Sequence, residues 1–297
     1  MWNFYDIFYF IGNGFLILLL FFVMNINTIE YIDASNNILT YSDMPCLPIN
    51  NKIPKIIFRT SQFPVTKLPR QIYDNLMKLN SDNPEYRQFY FDDIDVYQFI
   101  MDKYPQYIKY YNSLIPHAYK ADFWRILVLY YYGGIYNDIG HSYLTNISNI
   151  IFDDSQFVTV VDSPQAPYYL HNAFIAAYAR HPILKNMIDA MINNIQNKNY
   201  GENPVDVVSC GPLGRVFNIY FERPIDQPIK PGRFILNNNS ADIYKLVGPP
   251  NTKIISVDGT VIINTKFKNY NLVMYNNRPR YDELWHNKNV FKIGENF

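Results

Sequence analysis

Three ionisable side chains on one short stretch of this chain could do chemistry together. Asp122 and Arg125 lie about one helical turn apart in an otherwise apolar run, Ala118 to Tyr132, so on a helix they share a face. Gly133-Gly134 ends that run. Ile135-Tyr136-Asn137 then reads as a short strand that delivers Asp138 to its carboxyl end. In open α/β sheets, ligands bind beyond the carboxyl ends of strands. An acid there can hold a sugar hydroxyl or a divalent cation, and a diphosphate needs its charge neutralised, commonly by Mg²⁺ or Mn²⁺ on carboxylates. Taken singly, Asp122 and Arg125 read equally as a surface ion pair and Asp138 as a turn residue; the spacing of the set is what points to a site.

The elements around this stretch must position it. Ile53-Pro54 to Thr60 reads as a first buried strand, Leu68 to Asn80 as a helix, and Tyr86 to Phe91 as a second strand. Asp92 to Lys103 reads as a helix opened by acids, which suit the positive end of its dipole. Ala121, Trp124, Leu127, Val128 and Tyr131 give the Ala118–Tyr132 helix an apolar face. Further strands are expected at Phe157 to Val161, Phe234 to Leu236, Ile254 to Val257 and Thr260 to Ile263, and a helix from His181-Pro182 to about Asn197. Alternating strands and helices indicate an α/β layered fold, a parallel nucleotide-binding half followed by a more mixed half.

The central stretch resembles the DXD-containing sugar-binding region of glycosyltransferase family 32, whose pattern runs approximately A-x-x-S-D-x-x-R-Y-x-x-L-Y-x-x-G-G-I-Y-x-D-x-D. Ala118 to Gly140 matches it at Asp122, Arg125, Gly133-Gly134 and Asp138. Ile53-Pro54-Lys55-Ile56-Ile57 is similar to the family's first strand. Asn172-Ala173-Phe174-Ile175 with His181-Pro182, Ser209-Cys210-Gly211-Pro212 and, more weakly, Trp285-His286 are similar to its later motifs. The likeness covers about residues 51 to 290.

This resemblance implies a GT-A type fold, a Rossmann-like mixed sheet flanked by helices. It also implies a nucleotide-diphosphate sugar donor, a glycan or glycoprotein acceptor, a divalent metal (Mn²⁺ or Mg²⁺) and retention of anomeric configuration. By motif position it assigns Asp122, Arg125 and Asp138 to catalysis and sugar contact. Ile57, Phe58, Tyr136, Asn137, Asn172, Gly211 and Pro212 join them as donor-binding residues. The family's second acid falls at Gly140, which has no side chain to ligate a metal, and His141 follows at once. Three readings are open: His141 joins Asp138 as metal ligand, the site works with weak or no metal, or the chain is a weakened, sugar-binding relative. A phosphate-facing cation would come from Arg278, Arg280, His286 or Lys288, which read equally as a solvated basic tail.

The rest of the sequence bounds these expectations. The chain has 297 residues, enough for a sizeable core, and its 26 basic and 26 acidic side chains cancel. With no basic stripe to neutralise phosphates, a nucleic-acid partner is not expected. Cys46 and Cys210 are too few for a disulfide framework or a four-cysteine zinc site and are expected as thiols. Phe8 to Met24 is apolar and uncharged, barely long enough to span a bilayer, and lacks a basic leader and a small-residue cleavage site. It is expected as an uncleaved anchor over residues 1–25, giving a single-pass, type II-like membrane protein, with endomembrane localisation in a eukaryotic setting. Residues 26–50, polar and ending near Pro45 and Pro48, are expected as a stem, and residues 51–297 as the catalytic domain.

Overall fold

The computed structural model describes residues 29–162, 167–248, 252–267, 269–274 and 279–292. The expected anchor lies outside the described residues. Among the described residues no helix is long and apolar enough to cross a membrane. The described residues from Ile32 onward form one compact unit.

The parallel half begins with β1 (Ile56–Thr60), whose residues alternate between the two faces of a sheet. The helix α1 (Arg70–Asp82) buries Ile72, Leu76 and Leu79, which recur at helical spacing within the expected helix. It leads to β2 (Arg87–Phe91). Asp92 then caps α2 (Asp93–Lys103), its carboxylate accepting from the backbone N–H groups of Ile94 at 2.8 Å and Asp95 at 3.0 Å. The helix α3 (His117–Tyr132) is followed by β3 (Gly134–Asn137). β1 pairs in parallel with both β2 and β3.

The mixed half adds β4 (Ser142–Tyr143), β5 (Phe157–Val161) and β6 (Phe174–Ala177), then α4 (Pro182–Gln196) and α5 (Cys210–Tyr220). The chain closes with β7 (Gly232–Leu236), β8 (Asn239–Val247), β9 (Lys253–Ile255) and β10 (Val261–Asn264). The order across the sheet is β2-β1-β3-β6-β5-β8-β9-β10-β4, with β7 also paired to β8. β6 runs antiparallel to β3 and β5, whereas β8 runs parallel to β5. The fold is thus a mixed α/β sheet. Antiparallel pairing enters it at β6, earlier than the parallel-then-mixed reading placed it.

A large aromatic and aliphatic core fills the face that carries Phe58, Phe89, Phe91, Tyr136, Phe157 and Ile175 against α2, α3, α4 and α5. The opposite face, with Ile57, Ile135, Val158, Val160 and Phe174, packs on Ile147, Ile150, Ile254 and Ile263. Helix α3 is buried on nearly every side rather than along the single face expected: Phe123, Trp124, Ile126, Leu127, Val128 and Leu129 have no exposed area. Trp124 wedges between the rings of Phe91, 4.9 Å away, and Tyr136, 6.1 Å away.

The stem expected over residues 26–50 is, from Ile32, part of the folded unit. Ala34 and Ile38 are buried in a cluster with Leu68, Ile72 and Leu76. Leu39 bridges to Phe89, and Tyr41 donates to Asp102 at 2.9 Å and packs on Phe91 and Phe99. The segment lacks periodicity because scattered anchors hold it, one at a time.

Two glycines set the end of α3 against β1. Gly133 takes φ 67° and Gly134 φ 102°, backbone that side chains disfavour. A Cβ at Gly133 would stand 2.6 Å from the Ala179 backbone nitrogen, and one at Gly134 2.7 Å from Ile56. Gly133→Ala is expected to lower unfolding free energy by about 2–4 kcal/mol, left-handed strain adding to overpacking. Chemical denaturation checks this, and a loss below about 0.5 kcal/mol would contradict it.

Candidate functional site

Strand ends and loops converge on one cleft of about 520 Å³, in the usual size range of small-molecule sites. Thr60, Ser61 and Gln62 come from the end of β1 and the residues after it, Asp138 follows β3, and Asp162 follows β5. Asp122 and Arg125 reach it from α3, His171 and Asn172 from the approach to β6, and Ser209 and Cys210 from the start of α5. Thr265, Lys266 and Tyr270 line it from beyond β10.

Arg125 is the centre of the arrangement. Its guanidinium lies 2.9 Å from Asp122 Oδ1 and 3.4 Å from Asp138 Oδ1, and donates to the Asn172 carbonyl at 2.8 Å. Its other side covers the Tyr136 ring, 4.2 Å from the centroid. Burial works against the charge, but Tyr136, Asp122 and Asp138 outweigh it and raise the pKa. One cation therefore serves two carboxylates in different settings. Asp122, with 9% of its side chain exposed, is pushed up to about 6, chiefly by burial, against the pull of Arg125. Asp138, with 33% of its side chain exposed, is lowered: burial opposes the shift, but Arg125 and then His141 prevail. Tyr136 donates to Asp138 Oδ1 at 2.7 Å, and Asn172 to Asp122 Oδ1 at 3.0 Å. The resemblance-derived set Asp122, Arg125, Tyr136, Asp138 and Asn172 thus forms one hydrogen-bonded cluster.

The loop after β3 is held from below by a residue that the sequence reading missed. Arg59 is fully buried, and one of its nitrogens donates to the carbonyls of Asp138 and Ile139, each at 2.8 Å, and of His141 at 2.9 Å. Asn75 on α1 adds bonds to the Ile139 carbonyl at 3.0 Å and the His141 carbonyl at 2.9 Å. Burial lowers the Arg59 pKa to about 10, which still leaves it charged at neutral pH. An arginine inside an otherwise apolar buried strand was the available signal.

Several expected site residues lie elsewhere. Ile57 and Phe58 are core residues on opposite faces of β1 and do not line the cleft; the last residue of β1, Thr60, and Ser61 and Gln62 after it do. A strand buried on both faces has only its end free for a ligand. Gly211 and Pro212 sit inside α5, where a Cβ on Gly211 would run into the Asp206 carboxylate, and their neighbours Ser209 and Cys210 face the cleft instead. Asn137 is buried with its Oδ1 2.7 Å from His141 Nδ1, so it orients the histidine rather than the donor. Of the basic tail, Arg280 lines the cleft, His286 and Lys288 do not, and Arg278 lies outside the described residues. Lys266, also missed, lines the cleft.

Position 140 is closed to a side chain. A Cβ there would meet Tyr270 Cε2 at 2.7 Å and the Thr265 carbonyl at 2.8 Å. A DXD-type pair of acids therefore does not fit this loop. Burial depresses the His141 pKa to about 3, so its ring is neutral at ordinary pH, with Nδ1 turned to Asn137. Asp138 and His141, the expected metal pair, are joined by no third His, Cys, Asp or Glu: among the described residues, the one such group of three with ligand atoms within 4.8 Å of one another is Asp162, His171 and Cys210.

Arg59→Met is expected to cost about 2–4 kcal/mol of stability, since three carbonyls lose a charged donor and keep only the His141 N–H, on Asp138, and Asn75, on Ile139 and His141. It should also speed amide exchange over Ile139 to His141. An unchanged denaturation midpoint with unchanged exchange would contradict the clamp.

Similarity to known proteins covers part of the chain. Residues 69–158 match the model of the glycosyltransferase sugar-binding region containing DXD motif. The chain is 26% identical over 166 residues to inositol phosphoceramide mannosyltransferase 2 of Schizosaccharomyces pombe (strain 972 / ATCC 24843), an alignment covering 56% of this chain and 46% of that protein. The chain thus spans about half the length of the curated relative it matches. The solved structure of PaToxG Glycosyltransferase superposes with a TM-score of 0.44 at 17% identity, over 57% of this chain and 70% of that one. Residues 69–158 are thus similar to the sugar-binding region of DXD-containing glycosyltransferases.

Proposed function

We propose that this chain is a hexosyltransferase of GT-A type that takes its sugar from a nucleotide-diphosphate donor. The observation that carries the reading is the Asp122–Arg125–Asp138 cluster opening on the cleft. A hexose presents several hydroxyls that donate and accept, and two carboxylates flanking a guanidinium complement that array with charge-assisted bonds. Mannose is the first sugar to test, because the matched relative is named a mannosyltransferase. The acceptor class is a glycan or a glycoprotein, and attachment to a membrane through Phe8 to Met24 completes the proposal.

The reaction follows a retaining course. The bond from the anomeric carbon to the diphosphate oxygen breaks, the acceptor hydroxyl oxygen bonds to that carbon on the same face, and its proton passes to the departing diphosphate. Positive charge near the leaving group lowers the barrier, and Lys266 is the cleft cation assigned to it here. Arg125 is neutralised by its two carboxylates and serves the sugar. A divalent metal would share the diphosphate charge, but the Gly140 loop has no room for a second carboxylate, so no step is routed through a metal here.

Binding without turnover is the second reading, and the packing of Tyr270 and Thr265 against Gly140 favours it specifically. A sugar-nucleotide panel assayed for hydrolysis and transfer separates the two. The proposal expects release of nucleoside diphosphate from at least one donor, cut about 10–100-fold by Asp138→Asn, the size of a lost charge-assisted hydrogen bond. Binding with no release would leave only the second reading; neither would overturn both.

A pH dependence follows from Asp122. It ionises near pH 6, so donor affinity should rise as pH increases from about 5 to 7. Asp122→Asn should flatten that rise in a calorimetric titration. A rise that survives the substitution would assign the titration to another group.

A further inference from the structure

Asp162, His171 and Cys210 come from three separate parts of the chain: the residue after β5, the approach to β6, and the first residue of α5. Backbone hydrogen bonds lace these parts together. Asp162 N–H donates to the Tyr169 carbonyl at 2.9 Å, His171 N–H to the Val160 carbonyl at 2.7 Å, and Leu170 N–H to the Cys210 carbonyl at 3.2 Å. The three ligand atoms lie within 4.8 Å of one another, and all three residues line the cleft.

One of these spacings is that of two ligands around a small cation. His171 Nδ1 and Asp162 Oδ1 are 3.3 Å apart. That is long for a charge-assisted hydrogen bond, which runs about 2.7–2.9 Å. It is the edge of a tetrahedron whose centre lies about 2.0–2.1 Å from each atom, the usual zinc–nitrogen and zinc–oxygen distance. The other ring nitrogen, His171 Nε2, is shut off from solvent without a hydrogen-bond partner. The Cys210 thiol donates to Asn172 Oδ1 at 3.6 Å, with Ser209 Oγ also 3.6 Å from its sulfur.

We propose that Asp162, His171 and Cys210 form a three-ligand site for a zinc-type divalent cation, with its fourth position open to the cleft. One sulfur, one nitrogen and one oxygen suit a borderline-soft ion, whereas Mg²⁺ and Mn²⁺ favour oxygen. Three protein ligands and an open position are the pattern of zinc sites that act on a ligand rather than brace a fold. On binding, the Cys210 thiol gives its proton to solvent and the thiolate bonds to the metal. The cation would then stand in the same cleft as the Asp138 loop without needing a second acid at Gly140. The metal site is independent of the donor reading; only its use, accepting an oxygen of the diphosphate or the acceptor, rests on that reading.

The test is metal stoichiometry and cobalt spectroscopy on the full chain. Purified protein dialysed against Zn²⁺ or Co²⁺ should hold one equivalent, and the cobalt form should show a thiolate-to-metal charge-transfer band. Cys46→Ser and Asp138→Asn should keep that band; Cys210→Ser and His171→Gln should lose it. Should a variant fail to fold, protection of Cys210 from alkylation by Zn²⁺ in the wild-type chain decides the matter. A cobalt form without the thiolate band, a folded Cys210→Ser that keeps its zinc, or no protection from alkylation would overturn the proposal. Failure of every sugar nucleotide to bind, with the cobalt band present, would sink the donor reading and leave this site standing.

Discussion

A guanidinium buried in the middle of an apolar helix is the constraint around which this molecule is arranged. Arg125 is 5% exposed, and an unpaired charge in that position would be strongly destabilising. Asp122, Asp138, the Asn172 carbonyl and the Tyr136 ring supply its partners, from four different points along the chain. Those same groups form the polar wall of the cleft. Pairing the core charge and presenting carboxylates to a ligand are therefore one arrangement, and a change that frees Asp138 for something else also leaves Arg125 half-paired. The two acids divide the work by exposure: Asp122 is deep and easily protonated, Asp138 is shallower and stays ionised.

That arrangement depends on the chain arriving at Asp138 in one position only. The paired glycines after α3 let the backbone pass against Ile56 and Ala179, so β3 can join β1 directly. Arg59 and Asn75 then gather the carbonyls of the following loop. Two buried arginines thus act on opposite ends of the same residue, Arg125 on the Asp138 side chain and Arg59 on its carbonyl. Gly140 belongs to this packing: Tyr270 and Thr265 occupy the space a side chain would need. Its glycine is a steric feature of the loop as well as the loss of an acid.

The sequence made the core of this site legible because its residues are local. Asp122, Arg125, the double glycine and Asp138 fall within one short stretch, and a helix followed by a strand fixes their relation. The β1 and α1 patterns were legible for the same reason, since a short buried apolar run and helical spacing of Ile72, Leu76 and Leu79 are properties of a single element. What stayed hidden is set by tertiary contact. The resemblance assigned Ile57 and Phe58 to the donor, yet both faces of their strand are covered and only its end is free. Residues 32–44 looked like a linker because their anchors, Ala34, Ile38 and Tyr41, follow no period. Asp162, His171 and Cys210 carried no spacing signal, because the sheet and α5, rather than the sequence, bring them together.

The most direct measurement is a crystal structure of the protein with an intact nucleotide sugar bound. The account predicts the hexose on Asp122, Arg125 and Asp138, its hydroxyls hydrogen-bonded to both carboxylates, with the diphosphate on the side lined by Lys266. A sugar bound away from these three residues, with the Asp122–Arg125–Asp138 cluster closed on itself, would contradict it.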